Sequence, residues 1–328
     1  MKTLRIGTRG SQLALWQART VATALESMGA CAELVIITTH GDRRQDVPLT
    51  TIGGKGVFVK EIHEALMSGT IDLAVHSAKD MPAVSPEGLT IAATLKREDP
   101  RDALVFPMAP HKGAPYETPG YVGPGFMPGQ MYVGPGFMPG QISQNARIGT
   151  GSPRRIAQLR RLFPQATFEP IRGNVDTRLR KLDAGEVDAL VLACAGLRRL
   201  GFADRISTPL DVTACLPAPG QGIVAVETRR DDERIIEILR GIDHGPSHAV
   251  LSAEQAVVAE LGGGCQLPLG AFAELQGDVL SIRAVVASAD GRDVIDAQTQ
   301  GTTGDPVDAG TRLARDLASR GARELLRA

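Results

Sequence analysis

Along the chain, short apolar runs of the length of a β-strand alternate with longer segments in which apolar residues recur at helical spacing. The first part of this pattern predicts strands at residues 4–8, 33–38 and 71–75 and helices at 12–28 and 57–68. Ser11 is suited to cap the first helix. The apolar face of that helix is predicted to contain Leu13, Trp16, Val21, Ala24, Leu25 and Met28. Alternation of this kind is typical of an α/β fold.

The same order of elements recurs later in the chain. Residues 147–152 (RIGTGS) resemble residues 5–11 (RIGTRGS), and residues 185–193 resemble residues 69–75. Pro153 follows Ser152 at the first position of the next predicted helix. Strand–Gly-Thr–Ser–helix turns are common, so chance recurrence is the alternative. The paired similarity favours two related α/β lobes, similar to those of periplasmic binding proteins and facing one another across a cleft.

The remaining segments predict a crossover and a third unit. Residues 216–222 (LPAPGQG) form a rigid segment before a strand at 223–227, which is expected to return to the first lobe. Beyond it, helices are predicted at 231–241, 247–261 and 305–327, and strands near 269–274, 279–287 and 293–299. We therefore expect a small α+β C-terminal domain. The predicted boundaries are 1–98 with 223–241 for lobe 1, 99–222 for lobe 2 and 242–328 for the C-terminal domain.

Two segments do not follow the α/β pattern. Residues 39–56 form a polar, glycine-rich loop that includes Lys55, and loops of this length are often lids or disordered. Residues 107–145 contain YVGPGFMPGQ twice, at 121–130 and 132–141. Such composition cannot build a core. A surface insertion expanded by duplication is the simpler interpretation, and a recruitment element is the alternative.

Composition narrows the classes of function. The chain has 328 residues, a net charge of -1 and only 4% aromatic residues, which argues against nucleic-acid partners. Long apolar runs and a leader peptide are not evident, so a cytoplasmic protein without a membrane span is expected. The four cysteines are widely spaced, which predicts neither a metal site nor a disulfide framework.

A lysine and a carboxylate directly follow the predicted buried strand at 71–75. Lys79 and Asp80 lie just past its C-terminal end, and Pro82 prevents a helix from continuing. Ligands of open α/β sheets bind at this edge. The alternative, a solvated Lys–Asp pair in a turn, holds for most such dipeptides.

Arginines recur at the predicted loop ends of both lobes. They are Arg9, Arg154, Arg155, Arg172, Arg178 and Arg199. Two of them fall in the first turn of a helix, where the helix dipole disfavours cations. Guanidinium groups pair bidentately with carboxylates or phosphates. Because the whole chain is nearly neutral, the pattern indicates a small polyanionic ligand, with ordinary surface ion pairs as the alternative for any single arginine.

Cys265 follows three glycines, which place its thiol on an accessible turn. The other cysteines adjoin apolar runs and are predicted to be packing residues. An accessible thiol on such a loop is a candidate nucleophile or covalent attachment point, although the sequence offers no partnering histidine.

Five motifs, occurring in order over the whole chain except the insertion, resemble those of porphobilinogen deaminase, also called hydroxymethylbilane synthase. They are 76–82 (HSAKDMP), 149–155 (GTGSPRR), 172–178 (RGNVDTR), 216–222 (LPAPGQG) and 264–270 (GCQLPLG). The resemblance implies an enzyme of haem and tetrapyrrole biosynthesis. This transferase joins four porphobilinogen molecules head to tail into hydroxymethylbilane and releases ammonia at each step. The resemblance also implies a monomer.

The resemblance further assigns individual residues. A dipyrromethane cofactor is expected on Cys265 through a thioether, and Asp80 is expected to be catalytic. Further cofactor contacts implied are Asp80, Lys79, Ser77, Thr150, Ser152, Arg154, Arg155, Gly173 and Lys55. Substrate contacts implied are Arg9, Ser11, Gln17, Arg172, Arg178 and Arg199. The loop around Lys55 resembles the family's mobile lid.

A module of the solute-binding type that holds an anion without catalysis is the alternative from another class. Two lobes with helix N-termini facing a cleft suit that class equally well. It predicts an export signal and assigns no role to Cys265 or to a third domain.

Overall fold

Three β-sheets organise the computed structural model, which describes residues 3–39, 59–108, 145–262 and 267–327. The strands in this part of the chain are β1 Leu4–Thr8, β2 Ala32–Ile36, β3 Leu73–Ser77, β4 Leu89–Thr94, β5 Asp102–Val105, β6 Arg147–Gly149, β7 Thr167–Glu169, β8 Ala189–Ala193, β9 Thr208–Pro209, β10 Val224–Arg229, β11 Leu269–Gln276, β12 Val279–Ala287 and β13 Val294–Thr302. The helices are α1 Gln12–Ser27, α2 Lys60–Met67, α3 Pro153–Leu162, α4 Val175–Asp183, α5 Cys194–Arg199, α6 Glu233–Arg240, α7 Gly245–Leu261, α8 Pro306–Ser319 and α9 Ala322–Leu325.

The two five-stranded sheets have the same topology. Their orders are β2-β1-β3-β10-β4 and β7-β6-β8-β5-β9. In each sheet four strands run in the same direction, and the strand in fourth place is antiparallel to them and is supplied by the chain after it has passed through the other sheet. We call the first sheet with α1, α2 and α6 the first lobe, and the second sheet with α3, α4 and α5 the second lobe. The predicted similarity of the lobes is thus confirmed.

Both lobes begin with a strand that leads directly into a capped helix. Ser11 Oγ accepts a hydrogen bond from Ala14 N at the start of α1, and Ser152 Oγ accepts one from Arg155 N at the start of α3. These bonds satisfy backbone donors that a helix leaves unpaired at its first turn. Pro153 occupies the first helical position, as predicted.

The predicted apolar face of α1 is partly wrong. The buried residues of this helix are Gln17, Ala18, Val21 and Leu25, whereas Trp16 is 38% and Met28 49% exposed. The core of the first lobe lies against the 18–21–25 stripe, so Trp16 is turned towards the second lobe.

Two crossover segments connect the lobes, one between β4 and β5 and one between β9 and β10. They touch at Gly222, whose φ of +89° and close approach to Glu98 exclude a side chain, because a Cβ there would lie 2.4 Å from the Glu98 carbonyl oxygen. Arg97 of the first crossover pairs with the buried Glu254 of α7 at 2.7 Å. Glu254 Oε2 also accepts a hydrogen bond from Gly220 N. Both crossovers are therefore fixed to the C-terminal domain.

That domain consists of the antiparallel sheet β11-β12-β13 packed on α7 and α8. The single helix predicted over 305–327 is wrong, since α8 ends at Ser319 and α9 begins at Ala322. Gly321 separates them with φ +93°, a conformation that glycine adopts without strain. The domain's apolar core also includes Ala78 and Met81 of the first lobe.

Several predicted features lie outside the described residues. They are the loop after Thr39 with Lys55, the duplicated insertion over 109–144, and Cys265.

Candidate functional site

Asp80 ends the short 3₁₀ turn Ala78–Asp80 that directly follows β3, a central strand of the first sheet. Its side chain is exposed, whereas Ala78 and Met81 on either side of the Lys79–Asp80 pair are buried in the C-terminal core. Two apolar anchors therefore hold this turn, so the carboxylate is presented to the cleft from a fixed base.

Lys79 points into the protein beside this carboxylate. Its Nζ lies 3.3 Å from Gln221 Oε1. Burial lowers the pKa of Lys79 to about 8, and the positive charge of Arg155 adds to this effect, while Asp80 opposes it. The simple solvated Lys–Asp pair is thus not what the chain forms, because the ammonium group lies among other charges.

Arg154 and Arg155 converge on one buried carboxylate, Asp102, at the start of β5. Arg154 Nη2 lies 2.8 Å from Asp102 Oδ2, and Arg155 Nη2 lies 2.7 Å from Asp102 Oδ1. Burial by itself raises the pKa of Asp102, but the two guanidinium groups outweigh it and hold that pKa well below its usual range. The dipole-disfavoured position of the arginines is thus compensated by a buried anion.

The remaining donors of these arginines are also largely used within the protein. Arg154 Nη1 donates to the Leu216 carbonyl at 2.6 Å, and Arg155 Nη1 donates to the Val191 carbonyl at 2.8 Å. The side chains of Arg154 and Arg155 are only 5% and 8% exposed. Their contact with a cofactor therefore stays a prediction, and the arrangement differs from an open surface patch.

Arg178, which interacts with the neighbouring Arg172, brings positive charge of the second lobe towards Asp80. Arg178 Nε donates to the Gly173 carbonyl at 2.8 Å. Burial lowers the pKa of Arg178 to about 10; the charges of Arg155 and Arg172 add to this effect, and Asp80 opposes it. The Asp80 carboxylate is thus within electrostatic reach of Arg178 from the opposite lobe.

The hydroxyl groups expected to contact ligands lie at helix starts and strand ends. Thr150 Oγ1 accepts a hydrogen bond from Ser152 N at 3.3 Å. Ser77 Oγ, at the end of β3, lies 2.8 Å from Nε2 of the buried Gln17. Arg9 lies between β1 and the N-terminus of α1. Thr150, Ser77 and Arg9 therefore lie at the carboxyl-terminal edge of their sheets.

Arg199, at the end of α5, reaches the crossover and the first lobe. Its Nη2 donates to the Gly222 carbonyl at 2.6 Å, and its Cζ lies 5.5 Å from the ring centroid of Trp16. Burial lowers the pKa of Arg199 to about 10, while Glu98 opposes this effect. The side chain remains a cation at neutral pH.

A second polar cluster lies within the first lobe. Glu227 of β10 is fully buried, and its Oε2 lies 3.0 Å from His63 Nε2 and 3.5 Å from His76 Nε2. Burial alone raises the pKa of a carboxylic acid, yet the two imidazoles outweigh burial and lower the pKa of Glu227 to about 2. His76 lies in β3, just before the turn that carries Asp80, so this cluster connects α2, β10 and β3.

From the sequence, Asp102 was not identified, and Gln221 was included only as part of the 216–222 motif, without a role of its own. Gln221 is 1% exposed and bridges the lobes, since it accepts from Lys79 and its Nε2 donates to Asp102 Oδ1 at 2.9 Å. Two adjacent arginines in a first helical turn signal a need for a buried acid. The sequence offers many acids, however, and only the crossover geometry selects Asp102.

The described residues also bear on membrane and metal sites. None of the helices there is long and apolar enough to cross a membrane. Within the same ranges, groups of three or more His, Cys, Asp or Glu residues suited to holding a metal ion were not found.

The fold and the cleft define a two-lobed α/β protein with a small C-terminal domain, in which one exposed carboxylate faces several cations. A family model described as porphobilinogen deaminase, dipyromethane cofactor binding domain, matches residues 4–237, and a second, porphobilinogen deaminase, C-terminal domain, matches 249–319. The chain belongs to the porphobilinogen deaminase family. It is accordingly a transferase of tetrapyrrole biosynthesis that polymerises porphobilinogen with a dipyrromethane cofactor, which confirms the predicted family and activity.

Relatives support this assignment over nearly the full length. The porphobilinogen deaminase of Roseiflexus sp. (strain RS-1) is 45% identical over 327 residues, with 99% of each chain covered. That of Syntrophomonas wolfei is 43% identical over 328 residues, covering 99% of this chain and 98% of its own. The noncatalytic solute-binding alternative is therefore not favoured.

Solved structures of binding proteins are similar to part of the chain. The methionine-binding protein MetQ has a TM-score of 0.42 at 11% identity, covering 73% of this chain and 89% of its own. The periplasmic aliphatic sulphonate binding protein SsuA from Escherichia coli has a TM-score of 0.39 at 14% identity, covering 79% and 70%.

Proposed function

We propose that Asp80 carries the chemistry of porphobilinogen polymerisation in this chain. The observation on which the proposal rests is that Asp80 is an exposed carboxylate on a fixed turn, with Lys79 adjacent and Arg178 approaching from the other lobe. A carboxylate so placed can act on a cationic intermediate while the surrounding cations hold carboxylate groups of the substrate.

Each addition requires one bond to break and one to form. With the amino group in its protonated, ammonium form, the C–N bond breaks, ammonia leaves with the electron pair, and the pyrrole becomes an azafulvene cation. Asp80 stabilises this cation through its negative charge. The exocyclic carbon then bonds to the free α-carbon of the acceptor pyrrole, and Asp80 accepts the proton that this α-carbon releases.

The dipyrromethane cofactor supplies the first acceptor pyrrole when it is bound. Its carboxylate groups suit the cationic surroundings of Asp80, and the C-terminal core residues Leu261 and Leu269 bracket the segment with Cys265. We assign covalent attachment to Cys265. Further cofactor contacts are assigned to Asp80, Lys79, Ser77, Thr150, Ser152, Arg154, Arg155, Gly173 and Lys55.

Substrate carboxylates are assigned to the cations and polar groups around the cleft. These are Arg9, Ser11, Gln17, Arg172, Arg178 and Arg199. The assignment is supported by the position of Arg9, Ser11 and Arg172 between a strand end and the following helix start, where backbone N–H groups and the helix dipole also favour anions.

The arrangement of the whole chain completes the proposal. Lobe 1 comprises 1–98 with 223–241, lobe 2 comprises 99–222, and the C-terminal domain comprises 242–328. The net charge of -1 and the small number of aromatic residues support the proposal that the protein does not bind nucleic acid. The protein is proposed to act as a cytoplasmic monomer that needs no membrane.

The test is the variant Asp80→Asn, purified with its cofactor and verified by intact mass. We expect kcat to fall by at least about 100-fold, because both charge stabilisation and proton transfer are lost, while porphobilinogen still binds. Glu87→Gln, an exposed acid in the following loop, serves as the control. Near-normal kcat in cofactor-loaded Asp80→Asn would show that another group performs this chemistry.

A further inference from the structure

Trp16 and Arg199 form a contact between the two lobes. Trp16 is the chain's only tryptophan and lies on α1 of the first lobe, whereas Arg199 ends α5 of the second lobe. The guanidinium carbon lies 5.5 Å from the ring centroid, within the range of a cation–π interaction.

The surrounding packing brings these helices together. Leu13 lies one turn before Trp16, and its Cδ2 is 3.9 Å from the point where a side chain at Gly196 would begin. A distance of this size is an ordinary van der Waals contact, so α1 and α5 pack against each other at this point. The partial exposure of Trp16 thus results from its position at an inter-lobe contact, not from a failure of the helix to bury its core-facing stripe.

A second contact fixes Arg199 from another direction. Its Nη2 donates to the carbonyl oxygen of Gly222, in the crossover that returns to the first lobe. A cation–π contact uses the face of a guanidinium group, whereas hydrogen bonds use its edges. The ring of Trp16 can therefore orient the group without occupying the N–H groups that a carboxylate would need.

We propose that Trp16 is a positioning residue, which holds Arg199 in the orientation that accepts a substrate carboxylate. This inference rests on the proposed substrate-binding role of Arg199. A residue of the first lobe, Trp16, would then orient the anion-binding group of a residue of the second lobe, Arg199. The contact also couples that anion site to the separation of the lobes.

Steady-state kinetics of cofactor-loaded variants test the positioning role. Trp16→Leu removes the ring face, so we expect KM for porphobilinogen to rise about three- to tenfold with kcat within about twofold. Trp16→Phe restores a ring face and should recover most of this loss. Arg19→Ala, an exposed change on the same helix, is the matched control. A Trp16→Leu enzyme with unchanged KM, or with only kcat reduced, would overturn the proposal.

Fluorescence tests the contact without relying on activity or on changes at Trp16. Because the chain has one tryptophan, Arg199→Leu should shift the emission maximum of Trp16, whereas Arg198→Leu, an exposed neighbour, should not. Equal spectra for wild type and Arg199→Leu would refute the contact. If the contact exists but Arg199 does not bind substrate, the result is different. The emission then responds to Arg199→Leu, but KM changes neither with Trp16→Leu nor with Arg199→Leu.

Discussion

Asp102 Oδ1 lies 2.7 Å from Arg155 Nη2 at the point where the chain enters the second sheet. The same carboxylate binds Arg154 and accepts from Gln221, which in turn holds Lys79 of the first lobe. One buried anion thus organises cations from both lobes behind the proposed catalytic carboxylate.

Asp102→Asn should strongly destabilise the protein. The change leaves two buried guanidinium groups without their anion, and breaking a buried ion pair from one side costs about 3–5 kcal/mol. Urea unfolding at neutral pH measures this loss. Asp278→Asn, on an exposed turn, should change the free energy of unfolding by less than about 0.5 kcal/mol. Equal stability of the two variants would contradict the organising role of Asp102.

The activity should fall at alkaline pH because Lys79, a proposed cofactor contact, loses its charge there. Its pKa is lowered to about 8, so the ammonium charge is present below this pH and is lost above it. We expect kcat/KM to fall as pH rises through about 8. Lys79→Arg keeps its charge and should move this fall to higher pH, because arginine titrates above about 12. Kinetics from about pH 7 to about pH 10 check the shift.

The exposed Lys96→Arg provides the comparison for that experiment. A profile for Lys79→Arg that follows the wild-type curve would assign the alkaline loss to another group.

Glu227 should stabilise the first lobe at neutral pH but not in strong acid. Its pKa is lowered from 4.5 to about 2, so its contribution is complete above pH 4.5 and is lost as pH falls towards 2. A shift of this size corresponds to about 3 kcal/mol. Glu227→Gln should lower the free energy of unfolding by about that amount at pH 7, and the difference should shrink in acid. The exposed Glu274→Gln is the control. A pH-independent difference would indicate a packing effect instead.

Cys265→Ala should remove the covalent cofactor. Intact-protein mass of the wild type is expected to exceed the sequence mass by one dipyrromethane, and an aldehyde reagent for pyrroles should colour it. Cys31→Ala, which changes an exposed cysteine, should retain both signals. A full adduct on Cys265→Ala would place the attachment elsewhere.

The local patterns predicted much of the fold because they reflect local physical constraints. Ser11 and Ser152 cap helices after equivalent strands, and the crossover at 216–222 returns the chain to the first sheet, as expected. The strands β4, β5 and β9 were not predicted, and β5 and β9, with four and two residues, are too short to carry a periodicity of their own.

The site was only partly predictable for a related reason. Asp80 and Lys79 follow a recognisable buried strand, whereas Asp102 acquires its role from contacts with residues more than fifty positions away. Trp16 matched the helical period of a core residue, yet it faces the other lobe. Helical periodicity shows which residues share one face of a helix, but it does not show whether that face packs against its own lobe or against the other lobe.

The anchoring of Ala78 and Met81 in the C-terminal core has a consequence for how a polymer can grow here. Leu261 and Leu269, which bracket the segment with Cys265, belong to the same core. Asp80, the proposed catalytic carboxylate, and the segment proposed to carry the cofactor are therefore both anchored on one packed core. On these proposed roles, successive pyrroles meet the same stationary carboxylate, so the lengthening product has to fold back or travel past it.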